Sequence, residues 1–403
     1  MTNTVVALAR APHRLPFLLG SGNLLLAMAW WAAWLCAARW PQLVPALPRP
    51  QAPAGWMHAF TLQYQMLPSF MFGFLLTVFP RWMGLPELPR TRYLPVGLGL
   101  MGGQLVVLCG VLGMPGAIVA GTWLSLAGWS AGLWVLGTLL RRESGVTWHA
   151  RSCYAALVLG FAGLLAWLAW LHGADPWWAF ASIKIGSFGL LLPMYLTVAH
   201  RMIPFFAGGA VRGYAAWRPL WVMPTVWLLG LVHLALELAQ AYAWTWLPDL
   251  GLLLLAGGLL WRWWPRGPMP GLLVVLFIGL AWLPLAFALY AGQSLGNLMT
   301  GVHALGRAPA HALFIGFFGS VLVAMVTRVT QGHSGRPLEM PAVAWFAFVV
   351  IQCAAVLRIG AEVVHDPGAW QALAALAWVL ALLPWAVRIG RIVSVPRIDG
   401  GSG

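Results

Sequence analysis

Histidines, a lysine and a few carboxylates set inside otherwise apolar stretches are the residues able to do chemistry in this chain. Neutral imidazole ligates copper and iron, so histidines on neighbouring helices can build a heme or metal site without help from carboxylates. His58 and His311 are the first-choice ligands because both fall within apolar stretches, and His233 and His303 stand behind them as supports. His172 and His365 read as solvated helix-end residues. A different chemistry attaches to Lys184, which lies well inside an apolar stretch with Tyr64 and His311 at comparable positions of theirs. A lysine so placed faces a bundle interior or snorkels along its stem, and a working one needs an anionic partner such as Glu237 or Glu362. A third group combines His200, Arg201 and Arg328 with His333 and Arg336. Gly332 and Gly335 on either side of His333 predict a tight turn with exposed backbone N–H groups, able with the arginines to hold an anion or a heme propionate. The plainer reading is positive charge that anchors topology.

The elements that must position these residues are membrane helices. The 403 residues are 61% hydrophobic and 8% charged, with 27 tryptophans, which excludes a soluble globule. Apolar windows of about 20 residues predict twelve spans, near 17–38, 57–80, 94–113, 116–139, 150–172, 178–203, 217–237, 243–264, 270–291, 307–328, 341–364 and 369–391. The fold class is therefore all-α, a polytopic membrane protein whose single helical domain covers residues 1–396, with residues 397–403 as a flexible tail. The net charge of +14 does not point to nucleic acid, because most of the arginines mark one side of the twelve-span arrangement and the opposite loops hold only Arg39 and Arg49. That side is cytoplasmic by the excess of Lys and Arg in cytoplasmic loops, so both termini lie inside. Asp175, Asp249 and Asp366 fall to the opposite loops. The first apolar run is too long for a cleaved signal and stays as a span. Cys36, Cys109, Cys153 and Cys353 lack any Cys-x-x-Cys pairing and read as small buried residues.

The stretch from His303 to Arg336 unites a membrane-length apolar run with ionisable residues at both ends. Pro309 suits a first helical turn, which places the helix start near Ala308. Arg328 follows His311 by seventeen residues, or roughly 25 Å of helix. Three spans end in related text, GFLLTVFPRWMG, MYLTVAHRMIPF and VLVAMVTRVTQG, with Arg81, Arg201 and Arg328 separated by 120 and 127 residues. Thr77, Thr197 and Ala324 precede these arginines by four residues, and Tyr64, Lys184 and His311 by seventeen. Each interval contains four spans, which predicts a pseudo-threefold repeat of four-helix units.

At these segments the sequence resembles the NnrS family of bacterial membrane proteins. HALFIGFFGSVLVAMVTRVTQGHSGR follows the family's pattern through His311, Thr327, Arg328, Gly332, His333, Gly335 and Arg336. GFLLTVFPRWMG is similar to a second family segment, and HRMIPFF to a third at Arg201, Ile203, Pro204 and Phe206. The second span departs from the family: His58, Ala59, Phe60, Thr61 and Leu62 stand where His-x-His-Glu-Met is usual, and His200 replaces a usual glycine. The resemblance implies a multi-pass protein of the bacterial inner membrane that carries heme and/or copper, responds to nitric oxide or a related small ligand, and has the lipid bilayer as its surroundings. The layout is also similar to the catalytic subunit of heme-copper oxidases, but their paired histidines on the seventh helix are absent, which argues against oxygen reduction. No activated nucleophile, phosphate-binding glycine loop or zinc motif is present, so hydrolase and ATPase classes fall away. A metalloprotein, a small-molecule or proton-coupled permease without metal, and a sensor or assembly factor without turnover remain as the function classes.

Overall fold

In lipid every backbone polar group must find its partner within the protein, and an apolar chain with no alternating pattern does so by forming helices. A computed structural model describes residues 2–398, and all the regular structure among them is helical. The helices are α1 (Thr2–Leu8), α2 (Arg14–Arg39), α3 (Ala54–Trp82), α4 (Arg90–Val111), α5 (Ala117–Arg142), α6 (Trp148–Leu171) and α7 (Trp177–Ala210). They continue as α8 (Val222–Leu238), α9 (Trp246–Trp263), α10 (Gly271–Thr300), α11 (Ala308–Ser334), α12 (Ala342–Gly360) and α13 (Pro367–Val393). Asp399 and the Gly-Gly-Ser-Gly end lie outside the described residues.

A helix overlaps each of the twelve predicted stretches. Among the described residues ten helices are long and apolar enough to cross a membrane. The other two are α8, with 17 residues, and α9, whose 18 residues include Asp249 and Arg262. Asp249 is the clearest departure from the sequence reading: it belongs to the first turn of α9 and is fully buried, not in a loop. Of the four cysteines, Cys36 and Cys153 are buried as expected, whereas Cys109 and Cys353 are exposed.

By internal contacts the chain divides into two compact units. The first takes Met1–Leu191, Thr330–Arg336 and Trp385–Gly403, and the second takes Leu192–Val329 and Pro337–Pro384. In the first unit α4 and α5 form a close hairpin, because glycines remove the side chains that would hold the backbones apart. A Cβ on Gly99 would stand 2.6 Å from the Gly128 Cα, and one on Gly110 only 2.8 Å from the Ile118 nitrogen.

Three helices widen locally into π-helical turns: Thr61–Met66 in α3, Ile185–Leu191 in α7 and Ala312–Gly319 in α11. These are the three helices that carry the related arginine-ending text. Tyr64 lies inside the first wide turn, while Lys184 and His311 immediately precede the second and third. A π-turn breaks the ordinary ladder of hydrogen bonds and is frequent at functional sites.

Helix α11 begins at Ala308 with Pro309 in its first turn, as predicted. Its end differs from expectation. The helix runs through His333 to Ser334, and Gly335, at φ 73°, supplies the left-handed residue that lets the Arg336 N–H reach back 3.0 Å to the Gln331 carbonyl. This closing hydrogen bond replaces the open turn with exposed N–H groups expected around His333.

Candidate functional site

The first unit contains a buried layer of neutral polar groups built on the wide turn of α3. Its text, TLQYQM, places Gln63, Tyr64 and Gln65 in succession, and all three are buried. The Tyr64 hydroxyl donates to the Ser182 carbonyl at 2.5 Å, and the Gln63 amide to the Ser187 hydroxyl at 3.0 Å. Gln65 donates to the Ser125 hydroxyl at 3.1 Å and to the Gly103 carbonyl at 3.3 Å. Two carbonyls of the wide turn take side-chain donors: Trp129 Nε1 reaches Tyr64 O at 3.3 Å, and Gln104 Nε2 reaches Gln65 O at 2.9 Å. Backbone acceptors buried away from water need such partners. On the same helix the His58 ring stacks on Trp31, with centroids 4.6 Å apart and planes at 11°. Lys184 is half-buried, with its ammonium 5.4 Å from the centre of the Phe180 ring.

The second unit contains a buried cluster of ionisable groups. His233 on α8 is fully buried, with Nδ1 2.6 Å from Asp249 Oδ1 on α9 and Nε2 3.7 Å from Glu237 Oε2 one turn along its own helix. The Tyr290 ring meets the imidazole edge-on at 5.3 Å. An antiparallel pair of helices sets residues equidistant from the connecting turn opposite each other, and His233 and Asp249 hold such positions. That register was the signal in the sequence that could have found Asp249. A second ion pair joins Arg358 to Glu362 at 2.6 Å. Gly306, at φ 47°, lies so close to the Glu362 carboxylate that a side chain at that position would collide with it. In the same unit Trp282 of α10 donates to Gln352 of α12 at 2.6 Å, and Gln352 to the Ser320 hydroxyl of α11 at 2.8 Å.

The remaining predicted residues are dispersed. His311 is half-buried, and its Nδ1 lies 2.9 Å from the Arg307 carbonyl. His303 is exposed, edge-on to Tyr242 at 5.3 Å. His200 is buried with Nε2 3.1 Å from the Pro219 carbonyl. The Arg201 carbonyl accepts from Arg218 at 3.4 Å, and the Arg328 guanidinium lies 3.9 Å above the centre of the Phe206 ring. Arg336 has one guanidinium nitrogen, Nη1, buried without a hydrogen bond.

These placements bear on which metal groups the side chains suit. A carbonyl can only accept, so Nδ1 of His311 carries its proton, and the lone pair of the neutral ring sits on Nε2. That is the tautomer a ligating histidine adopts when its second nitrogen is held by a backbone carbonyl. His311 would therefore suit heme iron, which can be held by a single imidazole. A copper ion held by three or more side chains is not suited: among the described residues no three His, Cys, Asp or Glu side chains come together as ligands. His233 already has a carboxylate facing each of its nitrogens.

Gln63, Gln65, Gln104 and Gln352 escaped the sequence reading, which weighed Tyr64 but not the amides beside it and assigned Asp249 to a loop. No curated protein matches the chain. The description of the NnrS protein family, by contrast, matches residues 7–397, nearly the whole length, and the chain belongs to that family.

Proposed function

We propose that this chain is a multi-pass protein of the bacterial inner membrane that binds heme through His311 and acts in the response to, or tolerance of, nitric oxide. The observation that carries this reading is the 2.9 Å contact of His311 Nδ1 with the Arg307 carbonyl at the head of α11, in a segment whose text resembles the family. Held there, heme would supply an iron able to take up a small ligand such as nitric oxide. His58, stacked on Trp31, is the second-choice ligand, with His303 and His233 as the remaining two. Copper, the other metal the family implies, would have to be held by fewer than three side chains. The test is an optical and metal analysis of detergent-purified protein from heme-replete cells. A Soret band with stoichiometric iron, lost in His311→Ala, supports the reading, and colourless metal-free protein sinks it.

The buried His233, Asp249 and Glu237 favour a second reading, a permease moving a small solute or protons without a metal. Ionisable groups inside a membrane bundle commonly mark such paths. Flux into proteoliposomes that is abolished by Lys184→Met or Glu237→Gln would favour it over the heme protein.

We also infer a twelve-span topology with both termini cytoplasmic and a threefold internal repeat. The π-helical turns support the repeat, since they recur at every fourth helix, α3, α7 and α11, next to the residues aligned by the arginine text. Reporter fusions at the loops test the topology. A periplasmic signal from a fusion at either terminus would overturn it.

A further inference from the structure

A cavity of about 20 Å³ in the first unit lies between His13, in the loop before α2, and His333, at the end of α11. Thr77, Arg81 and Glu87 contribute to its wall. The two imidazole rings stand 4.6 Å apart, centroid to centroid, with planes at 36°. His13 is only 3% exposed, and its Nδ1 is buried without a hydrogen-bond partner. A buried polar atom left in this state next to a cavity marks a place where something polar binds.

Charge decides what that is. Arg14 and Arg81 act on His13, and Arg81, Arg397 and Arg14 act on His333. The only opposing charge among these groups is Glu87, already bonded to Arg81 at 3.1 Å. A divalent cation would enter a field of three arginines with two nitrogen ligands and no free carboxylate. An anion meets attraction from the arginines and hydrogen bonds from imidazole and guanidinium N–H groups. The cavity admits one water-sized body, hence a halide or a single oxygen of a small oxyanion. We propose that His13, His333 and Arg81 form a binding site for a small monovalent anion, which enters together with a proton.

The proton follows from the geometry. A neutral imidazole donates one hydrogen bond, and a protonated one donates two while offsetting the anion's charge. Without an anion, burial and then the nearby His333, Arg14 and Arg81 hold the His13 pKa well below the usual 6.5. A bound anion relieves that repulsion, so binding strengthens as the pH falls. His333 on α11, Arg14 on α2, Arg81 on α3, Glu87 in the loop after it and Arg397 near the C-terminus are the charged groups that set this balance.

Bromide is the probe. Its NMR line broadening is followed in titrations of the detergent-purified full chain at about pH 6 and about pH 8, on either side of an ordinary histidine pKa. Saturable broadening is expected, tighter at the lower pH, with affinity falling about tenfold in His13→Asn and by a smaller factor in Arg81→Gln. Bromide should also raise the thermal midpoint of the wild type more than that of His13→Asn. Equal broadening in all three proteins, equal affinity at the two pH values, or no saturable broadening would overturn the site. If His13→Asn does not fold, Arg81→Gln decides, because that side chain is half exposed.

Discussion

Each unit buries a cluster of polar groups around one of its helices, and the two clusters differ in kind. In the first, Gln63, Tyr64, Gln65 and Gln104 form a layer of amides and hydroxyls with serines and backbone carbonyls as partners. In the second, an imidazole faces two carboxylates, and a guanidinium pairs with a third. Neutral groups fix the register of helices and leave nothing to titrate. Buried charges cost more and repay that cost mainly where a change of protonation or a bound ion is used. The contrast assigns a scaffolding role to the amide layer of the first unit, set apart from its His13–His333 pair, and chemical capacity to the ionisable cluster of the second.

The sharpest way to break this comparison is at His233. Asp249→Leu leaves the imidazole buried without its closest carboxylate and should destabilise the protein by about 3–5 kcal/mol, while the double variant His233→Leu/Asp249→Leu should recover most of that loss. Unfolding in detergent measures both, and a double variant no better than the single one would show that the pair is not a charge pair. Next in size is Gln65→Leu, which strips donors from Ser125 and Gly103 and should cost about 1–3 kcal/mol with no change in the pH dependence of stability. A pH-dependent loss there would blur the distinction between the units. Tyr64→Phe removes one hydrogen bond, to Ser182 O, and should lower stability by about 0.5–1.5 kcal/mol. The smallest effect belongs to Glu87→Gln, whose ion pair with Arg81 is mostly exposed on both sides and should contribute no more than about 1 kcal/mol to the unfolding free energy.

Helix positions were legible in the sequence because apolar length is a local property that lipid enforces residue by residue. The start of α11 at Ala308 was equally local, since Pro309 tolerates only the first turn. The recurrence of related text at Arg81, Arg201 and Arg328 singled out the three helices that carry wide turns, yet no feature of the text announced the wide turns themselves. A π-turn depends on partners for the carbonyls it diverts, and Trp129 and Gln104 come to Tyr64 and Gln65 from 65 and 39 residues away in sequence. The sequence also supplied His233 and Glu237 as ionisable residues on one helix face, one turn apart. Their partner Asp249 read as a loop residue because a carboxylate near a helix end is ordinarily solvated, and only the packing of α9 against α8 drew it out of water. The same holds for His13, unremarkable beside its arginines until the end of α11 brings His333 against it. Residue type and spacing determined which helices matter. Burial and pairing, which depend on groups distant in the chain arriving at one place, were decided by tertiary structure alone.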